Sequence, residues 1–284
     1  MKNYSAIIVD LVKSRSYSVN DRTAIQNHII AVINQLNDAF AHVIARKVEF
    51  SAGDEVQGLF TSPEAAFLYF RMFNMIISPV DVRAGIGVGE WSIKVENAST
   101  TAQDGPAYHN ARRAIEEVKN SLGYSVLLYS GNKNDIFINS AINTSFILTS
   151  NHSEYQNELM LLSELLYPID AHKVINPKKM HLLYDLVMTK NELNYYSYFK
   201  KSKTVKRYPF EAINHLNIEA CPIDAINDDS TFYVSSGKKR GLPMQLSDIL
   251  GITRQSVEKT FKTANIYAVR NSTVVALKLM DRYL

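Results

Sequence analysis

Residues 50–60 of the chain read FSAGDEVQGLF. An apolar stretch breaks at Gly53, two acidic residues follow, and the chain then becomes apolar again. A Gly-Asp step between two short apolar runs is typical of a β-hairpin, with strands at about 43–50 and 55–60. Two adjacent carboxylates in such a turn are either solvated or bind a cation, and the neighbouring segments favour the second interpretation.

The segments around this hairpin alternate between strand and helix patterns. Residues 4–12 are apolar and β-branched, which predicts a buried strand that ends near Asp10. From Asp21 to about position 42, apolar residues recur at spacings of three and four, which predicts a helix capped by Asp21. The remaining patterns predict helix, strand, helix and strand in turn, at about 62–77, 81–91, 105–121 and 124–130.

The resulting order, β-α-β-β-α-β-α-β, predicts an α+β fold of the ferredoxin-like kind. Two βα crossovers enclose one hairpin, so the sheet must be antiparallel at least in part, with helices on a face. The strand at 81–91 reads DVRAGIGVGEW, and its three glycines predict that another group approaches the backbone closely.

After about residue 150 the pattern becomes mainly helical, which predicts two domains, at 1–150 and 151–284. The charge is unevenly distributed between them. Residues 236–284 contain nine Lys or Arg and three Asp or Glu, an excess of six positive charges in a chain of net charge +3. This asymmetry favours an acidic partner for the C-terminal part.

A helix, a glycine turn and a second helix are predicted at about 245–265, within LSDILGITRQSVEKTFKTA. Ser247 is a candidate cap of the first helix and Thr253 of the second, and residues 266–284 are expected to form a short wing and a closing helix. This layout resembles helix-turn-helix regulators, which read duplex DNA with the second helix. The predicted DNA-binding residues, which have side chains suited to bases and phosphates, are Thr253, Arg254, Gln255, Ser256 and Lys259.

A carboxylate site is predicted where the first strand meets the hairpin. In the predicted sheet these elements are neighbours, so Asp10 and Asp54 face each other and repel unless a divalent cation lies between them. Mg²⁺ (or Mn²⁺) suits two carboxylates completed by substrate phosphates. The stretch Leu11-Val12-Lys13-Ser14-Arg15 offers backbone N–H groups and two cations to those phosphates, which makes a nucleoside triphosphate the expected ligand.

Residues 4–130 resemble the nucleotidyl cyclase palm of class III cyclases and GGDEF diguanylate cyclases. The segments that carry the resemblance are Asp10-Leu11-Val12, Gly53-Asp54-Glu55, Val82 to Glu90 and Gly105 to Arg113. The resemblance implies metal binding by Asp10 and Asp54, and nucleotide binding by the 11–15 stretch and by Gly53. Glu55 is expected to be either a further ligand or a charge at the strand start.

The helix at 105–121 departs from the class III pattern, in which an asparagine and an arginine lie four residues apart. His109 and Arg113 occupy the matching positions here. The resemblance implies charge stabilisation by Arg113, from across a homodimer interface, whereas His109 changes the hydrogen bonding at its position. Phe50 occupies the position that selects the purine in many class III enzymes, so the base remains open.

The motifs DLVKSR, GDEVQGLF and DGPAYHNARRA resemble the SatD family of bacterial proteins. Together these features predict a cytoplasmic, nucleotide- and Mg²⁺-binding regulator that binds double-stranded DNA. One alternative is an active nucleotidyl cyclase (a phosphorus-oxygen lyase or nucleotidyltransferase), and another is a silent palm that serves as a sensor or dimerisation module. A third is an adaptor whose palm is purely structural. No apolar run approaches the length of a membrane span, and the single Cys221 excludes an internal disulfide.

Overall fold

The computed structural model describes residues 2–12, 18–121, 123–192, 219–227 and 232–284, with the backbone alone at 52 and 188–192. The fold is a mixed α+β arrangement. The strands are β1 (Tyr4–Leu11), β2 (Ile44–Ala52), β3 (Glu55–Phe60), β4 (Val82–Gly89), β5 (Val126–Tyr129), β6 (Ile169–Asp170) and β7 (Ile223–Asp224). The α-helices are α1 (Val19–Ala39), α2 (Pro63–Ile77), α3 (Pro106–Asn120), α4 (Asp135–Thr149), α5 (Glu154–Leu166), α6 (His181–Glu192), α7 (Leu242–Leu250), α8 (Arg254–Thr263) and α9 (Ile266–Tyr283).

The main sheet has the strand order β2-β3-β1-β4-β5. β1 is central and pairs antiparallel with both β3 and β4, whereas β5 pairs parallel with β4. The hairpin β2–β3 therefore lies directly beside the first strand, as the sequence predicts. This order brings the end of β1 and the hairpin turn to the same edge of the sheet, because Asp10 is the Cα partner of Glu55.

Both faces of the sheet are covered, so β1 is apolar on both sides. Ile7, Val9 and Leu11 belong to a large apolar core with α1 and α2. Ala6 and Ile8 face the other way, into a smaller core with α3. Because successive side chains in a strand point to opposite faces, an unbroken apolar run is what a strand between two helical layers requires.

The glycines of β4 allow α3 to lie against the strand backbone. Gly85, Gly87 and Gly89 alternate along the strand and so share one face. A Cβ on Gly87 would lie 2.0 Å from the backbone N of Ala111, and one on Gly85 would lie 2.4 Å from the Ala111 carbonyl oxygen. The close approach predicted for this strand is therefore that of α3.

Three local predictions differ from the structure. α1 begins two residues before Asp21, because the Ser18 hydroxyl accepts the Asp21 N–H as the N-cap. Ser247 lies inside α7, where its hydroxyl donates to the Met244 carbonyl, and so is not a cap. The expected wing is absent from 266–283, which form the single helix α9, because the apolar residues keep a helical spacing and no glycine or proline interrupts them.

The C-terminal helices pack onto the first half of the chain through the same core. Glu164 of α5 is fully buried and accepts hydrogen bonds from two arginines, Arg71 of α2 and Arg270 of α9. The Ser272 hydroxyl of α9 also donates to the Ala141 carbonyl of α4, at 2.9 Å. The predicted domain boundary near residue 150 falls between α4 and α5 and stays a prediction.

Across the part of the chain that the structure describes, no helix combines the length and the apolar character that a membrane crossing needs.

Candidate functional site

The candidate site is a cluster of carboxylates and cations at the edge of the sheet where β1 ends and β3 begins. Asp10 and Glu55 are Cα partners on these two antiparallel strands. Side chains of directly opposed residues project from the same face of a sheet. Both therefore point to the face that α3 covers, and α3 supplies a cation to each.

Arg112 binds Glu55 in a two-pronged arrangement. Its Nη1 donates to Oε2 at 2.6 Å and its Nη2 donates to Oε1 at 2.7 Å. The Ser51 hydroxyl donates to the same carboxylate at 3.2 Å. Partial burial raises the pKa of Glu55, but the hydrogen bonds and charge of Arg112 outweigh this effect, and the pKa lies below its usual range. Glu55 is therefore held as a carboxylate.

Lys119 forms the corresponding ion pair with Asp10, with Nζ 3.0 Å from Oδ1. Lys119 and Arg112 are seven residues apart on α3, two helical turns, so they share a face. Each remains partly exposed, with 36% of the Lys119 and 44% of the Arg112 side chain accessible. The two carboxylates and two cations thus form one solvent-accessible cluster.

The hairpin turn joins this cluster through its backbone. Gly53 adopts φ 61°, a left-handed conformation that favours glycine. The Leu11 N–H donates to the Asp54 carbonyl at 3.2 Å, which fixes residue 54 beside the end of β1. On the other side of the turn, the Gln26 side chain of α1 donates to the Gly53 carbonyl.

The other residues predicted from the palm resemblance lie apart from the cluster. The His109 Nε2 is 2.8 Å from Asp104 Oδ1, near the start of α3, and both side chains are exposed. His109 precedes Lys119 by ten residues, about 15 Å along the helix axis. Arg113 turns toward the edge strand β5, where its guanidinium stacks on the Tyr129 ring and donates to the Tyr129 hydroxyl at 2.7 Å. Lys13, Ser14 and Arg15 lie outside the described residues.

A metal at this edge would be held by carboxylate oxygens. Among the described residues, no group of three or more His, Cys, Asp or Glu has the arrangement of a metal site. Two opposed carboxylates nevertheless suit Mg²⁺, which usually keeps several waters and binds through one or two carboxylates and substrate phosphates. The donor set of Asp10 and Glu55 therefore fits Mg²⁺ with a phosphorylated ligand, and does not fit a cation that requires a full protein cage.

The predicted DNA-binding residues lie together at the start of α8. Thr253 is the N-cap, and its hydroxyl accepts the Ser256 N–H at 3.2 Å. Val257, Thr260 and Phe261 are buried, so the helix turns its opposite side to solvent. Arg254 forms an ion pair with Glu258, one turn along the helix. The exposed side chains of this surface include Arg254, Gln255, Ser256, Lys259 and Lys262.

Sequence reasoning missed the two cations of the cluster. Arg112 and Lys119 lie in a helix with many charges, and no short motif distinguishes them from surface residues. Their spacing of seven, together with the glycine strand beneath α3, is the signal from which they could be identified. Arg71 was missed as well, although an arginine within the apolar stretch FLYFRMF is unusual and indicates a buried partner.

Comparison with known proteins gives a family match and a distant structural similarity. A profile of the SatD family matches residues 4–201, more than two thirds of the chain, so the chain belongs to the SatD family. No protein of curated function matches its sequence. Among solved structures, a bacterial light-regulated adenylyl cyclase is similar, with 13% identity, a TM-score of 0.33 and coverage of 44% of this chain. The match spans 42% of that cyclase, less than half of its length.

Proposed function

We propose that this protein binds a nucleoside triphosphate with Mg²⁺ at the edge of the sheet where β1 meets the hairpin. The observation that carries the proposal is the opposition of Asp10 and Glu55 across β1 and β3. Each carboxylate is paired with an α3 cation, so the cluster contains both the anions that attract a metal and the cations that attract phosphates.

The carboxylates and the cations of the cluster would have different roles in binding. Mg²⁺ would be held by Asp10 and Glu55, and Asp54, the residue before Glu55 on the hairpin, is the further candidate ligand. The metal would neutralise charge on the phosphate oxygens. Arg112 and Lys119 keep the carboxylates paired until ligand arrives and then bind the phosphates, because a carboxylate shared with a metal holds its arginine or lysine less strongly.

The strand order supports a ferredoxin-like palm as the framework of this site. β1 lies between the hairpin and β4, and it runs antiparallel to both β3 and β4. Whether chemistry follows binding depends on Arg113 and His109, which lie away from Asp10 within one chain. We propose a homodimer in which a partner chain brings these residues to the nucleotide, as the class III resemblance implies. A silent sensor is the alternative function.

Incubation with each of the four nucleoside triphosphates and Mg²⁺ or Mn²⁺, followed by chromatography of the products, separates these functions. A cyclic or condensed nucleotide that disappears in Asp10→Asn identifies an enzyme. Binding that weakens at least tenfold in Asp10→Asn, without any product, identifies a sensor. The absence of binding for all four nucleotides would reject both.

A second proposed function is DNA binding by α8, which would couple nucleotide binding to transcription. What supports it is the exposed polar and basic surface opposite the buried side of α8, in a segment with an excess of positive charge. Arg254 and Lys259 would contact phosphates or bases, and Gln255 and Ser256 the edges of bases.

Fluorescence anisotropy with duplex DNA at several salt concentrations tests this function. Binding should weaken as salt increases, and the Arg254→Ala/Lys259→Ala variant should bind at least tenfold more weakly. A control variant, Lys133→Ala, removes a cation outside this surface and should bind as the unmodified protein does. Unchanged binding by the double variant would reject α8 as the recognition helix.

A further inference from the structure

A cavity of about 350 Å³ lies between α2, α4 and α5, on the face of the sheet opposite to α3. Its volume is within the usual range of small-molecule sites. Each of the three helices contributes residues three positions apart, which lie on one face of a helix. These pairs are Arg71 and Asn74 from α2, Phe146 and Thr149 from α4, and Asn157 and Met160 from α5.

A buried group of charged side chains lies beside this cavity. Arg71, Glu164 and Arg270 form a buried cluster in which two guanidinium groups share one carboxylate. The cluster therefore has an excess of one positive charge. Arg71, whose two terminal nitrogens each donate one hydrogen bond to Glu164, is the member that lines the cavity. A buried excess charge is costly unless it is paired, so this arrangement favours a bound anion. Among the described residues that line the cavity, the one acidic side chain is Asp81, which is exposed.

The C-terminal ends of α2 and α4 lie at the cavity, and unpaired carbonyls at helix C-termini attract cations. Several of these carbonyls already accept protein hydrogen bonds. Val80 N–H donates to Ile77 O, the Thr149 hydroxyl donates to Phe146 O, and the Ser150 hydroxyl donates to Ile147 O.

Two amide side chains complete the polar wall. Asn74 and Asn157 are half-buried, and neither side chain has a hydrogen-bond partner within the described ranges. Their NH₂ groups can therefore donate to a ligand beside Arg71. Phe146 and Met160 provide an apolar wall next to these donors. A ligand with one oxyanion and a small apolar body suits this cavity, because the lining offers a cation, amide donors and apolar side chains.

We propose that this cavity is a binding site for a small organic anion, with its carboxylate or phosphate at Arg71 and its apolar part against Phe146 and Met160. The site is separate from the Asp10–Glu55 cluster, since the sheet lies between them. Occupation of the cavity bridges α2, α4 and α5 and stabilises their packing.

Saturation-transfer NMR titrations with four probes of similar size test the selectivity of the cavity. Benzoate and phenyl phosphate carry the two kinds of oxyanion, benzamide is the neutral counterpart, and benzylamine is the cation. We expect one or both anions to bind at least roughly tenfold more tightly than benzamide, because hydrogen bonds to charged groups are the stronger ones. The tighter of the two anions identifies the kind of oxyanion. Equal binding of benzamide, tighter binding of benzylamine, or no binding of either anion would overturn the proposal.

Variants locate the binding and keep the test independent of folding. Arg71→Met removes the cation and leaves Glu164 paired with Arg270, so the anions should lose their advantage over benzamide. Thr149→Phe fills the cavity and should weaken the binding of both anions at least about tenfold. Thr144→Phe, at an exposed position of the same helix, is the matched control. Unchanged anion binding in a folded Thr149→Phe protein would overturn the assignment, as would equal losses in Thr149→Phe and Thr144→Phe.

Discussion

Arg112 donates one hydrogen bond to each carboxylate oxygen of Glu55, at 2.6 and 2.7 Å. This contact joins α3 to the hairpin across 57 positions of sequence. The Asp10–Lys119 ion pair lies beside this contact, so each of the two carboxylates is paired with a cation of α3.

The Glu55–Arg112 pair should make stability depend on pH. Because the pKa of Glu55 is lowered in the folded protein, its contribution is present above the ordinary pKa of glutamate and is lost as pH falls through the folded value. In urea unfolding, the free energy of unfolding of the unmodified protein should fall between pH 7 and pH 3. This decrease should be smaller in Glu55→Gln. The pair should contribute about 1 kcal/mol at pH 7.

Arg112→Met provides the internal control for this contact. The double variant Glu55→Gln/Arg112→Met should be destabilised by less than the sum of the two single changes, because the residues contribute through each other. Additive losses, or a pH profile that Glu55→Gln leaves unchanged, would show that the pair contributes no net stability.

Alanine at Gly87 should displace α3 from the sheet. The added Cβ would meet the backbone N of Ala111 at 2.0 Å, and a backbone atom cannot move aside without moving the helix. We expect a loss of about 1 to 3 kcal/mol in the free energy of unfolding. Gly89→Ala is the matched comparison, since its Cβ would remain 2.9 Å from the nearest backbone atom. Chemical denaturation should rank Gly87→Ala as the more damaging change, and the reverse order would contradict the close packing of α3.

Removal of the buried carboxylate at position 164 should be among the most damaging single changes. Glu164→Gln leaves Arg71 and Arg270 buried without a counter-charge, with an expected cost of about 3 to 5 kcal/mol. Glu258→Gln breaks an exposed ion pair with Arg254 and should cost less than about 0.5 kcal/mol. Thermal and urea unfolding measure both. Similar small losses in the two variants would show that Glu164 is not needed to neutralise the arginines.

The buried Asp170 should destabilise the fold at neutral pH. Burial raises its pKa to about 6, and the N–H groups of Ala171 and Ile175 offset this effect only in part. A raised pKa means that the Asp170 carboxyl group binds its proton more tightly in the folded protein than in the unfolded chain. The contribution of this group therefore falls as pH rises from about 4 through 6. Asp170→Asn retains an oxygen acceptor but cannot ionise. The unfolding midpoint of this variant, relative to that of the unmodified protein, should therefore be higher at pH 8 than at pH 4. An equal difference at both pH values would contradict the raised pKa.

The features that could be predicted from sequence are those determined over short distances. Gly53-Asp54 identified the hairpin, and the periodic pattern placed the start of α2 near residue 62, where the Ser62 hydroxyl accepts the Ala65 N–H. The glycines of β4 identified a close approach, although they could not say which element approaches. Ser18 was missed as a cap because Asp21, three residues later, is an equally good capping residue in isolation.

The features that could not be predicted depend on tertiary packing. Lys119 and Arg112 contact Asp10 and Glu55 only because α3 crosses β4 in one orientation. No local sequence pattern specifies that orientation. The same reason hides Glu164, whose two arginine partners are 93 and 106 positions away. Arg113 is a further example. The sequence predicted a role in charge stabilisation, but could not show that its partner within the chain is Tyr129 of the edge strand.

The most direct test of the central claim is a calorimetric titration of the purified protein with each nucleoside triphosphate, with and without Mg²⁺. We expect binding that requires Mg²⁺ and that weakens at least tenfold in Asp10→Asn, which corresponds to a loss of about 1.4 kcal/mol or more. Glu117→Gln, an exposed change on α3, should bind as the unmodified protein does. Binding of equal strength in Asp10→Asn, or the absence of Mg²⁺-dependent binding for every nucleotide, would contradict a nucleotide site at Asp10 and Glu55.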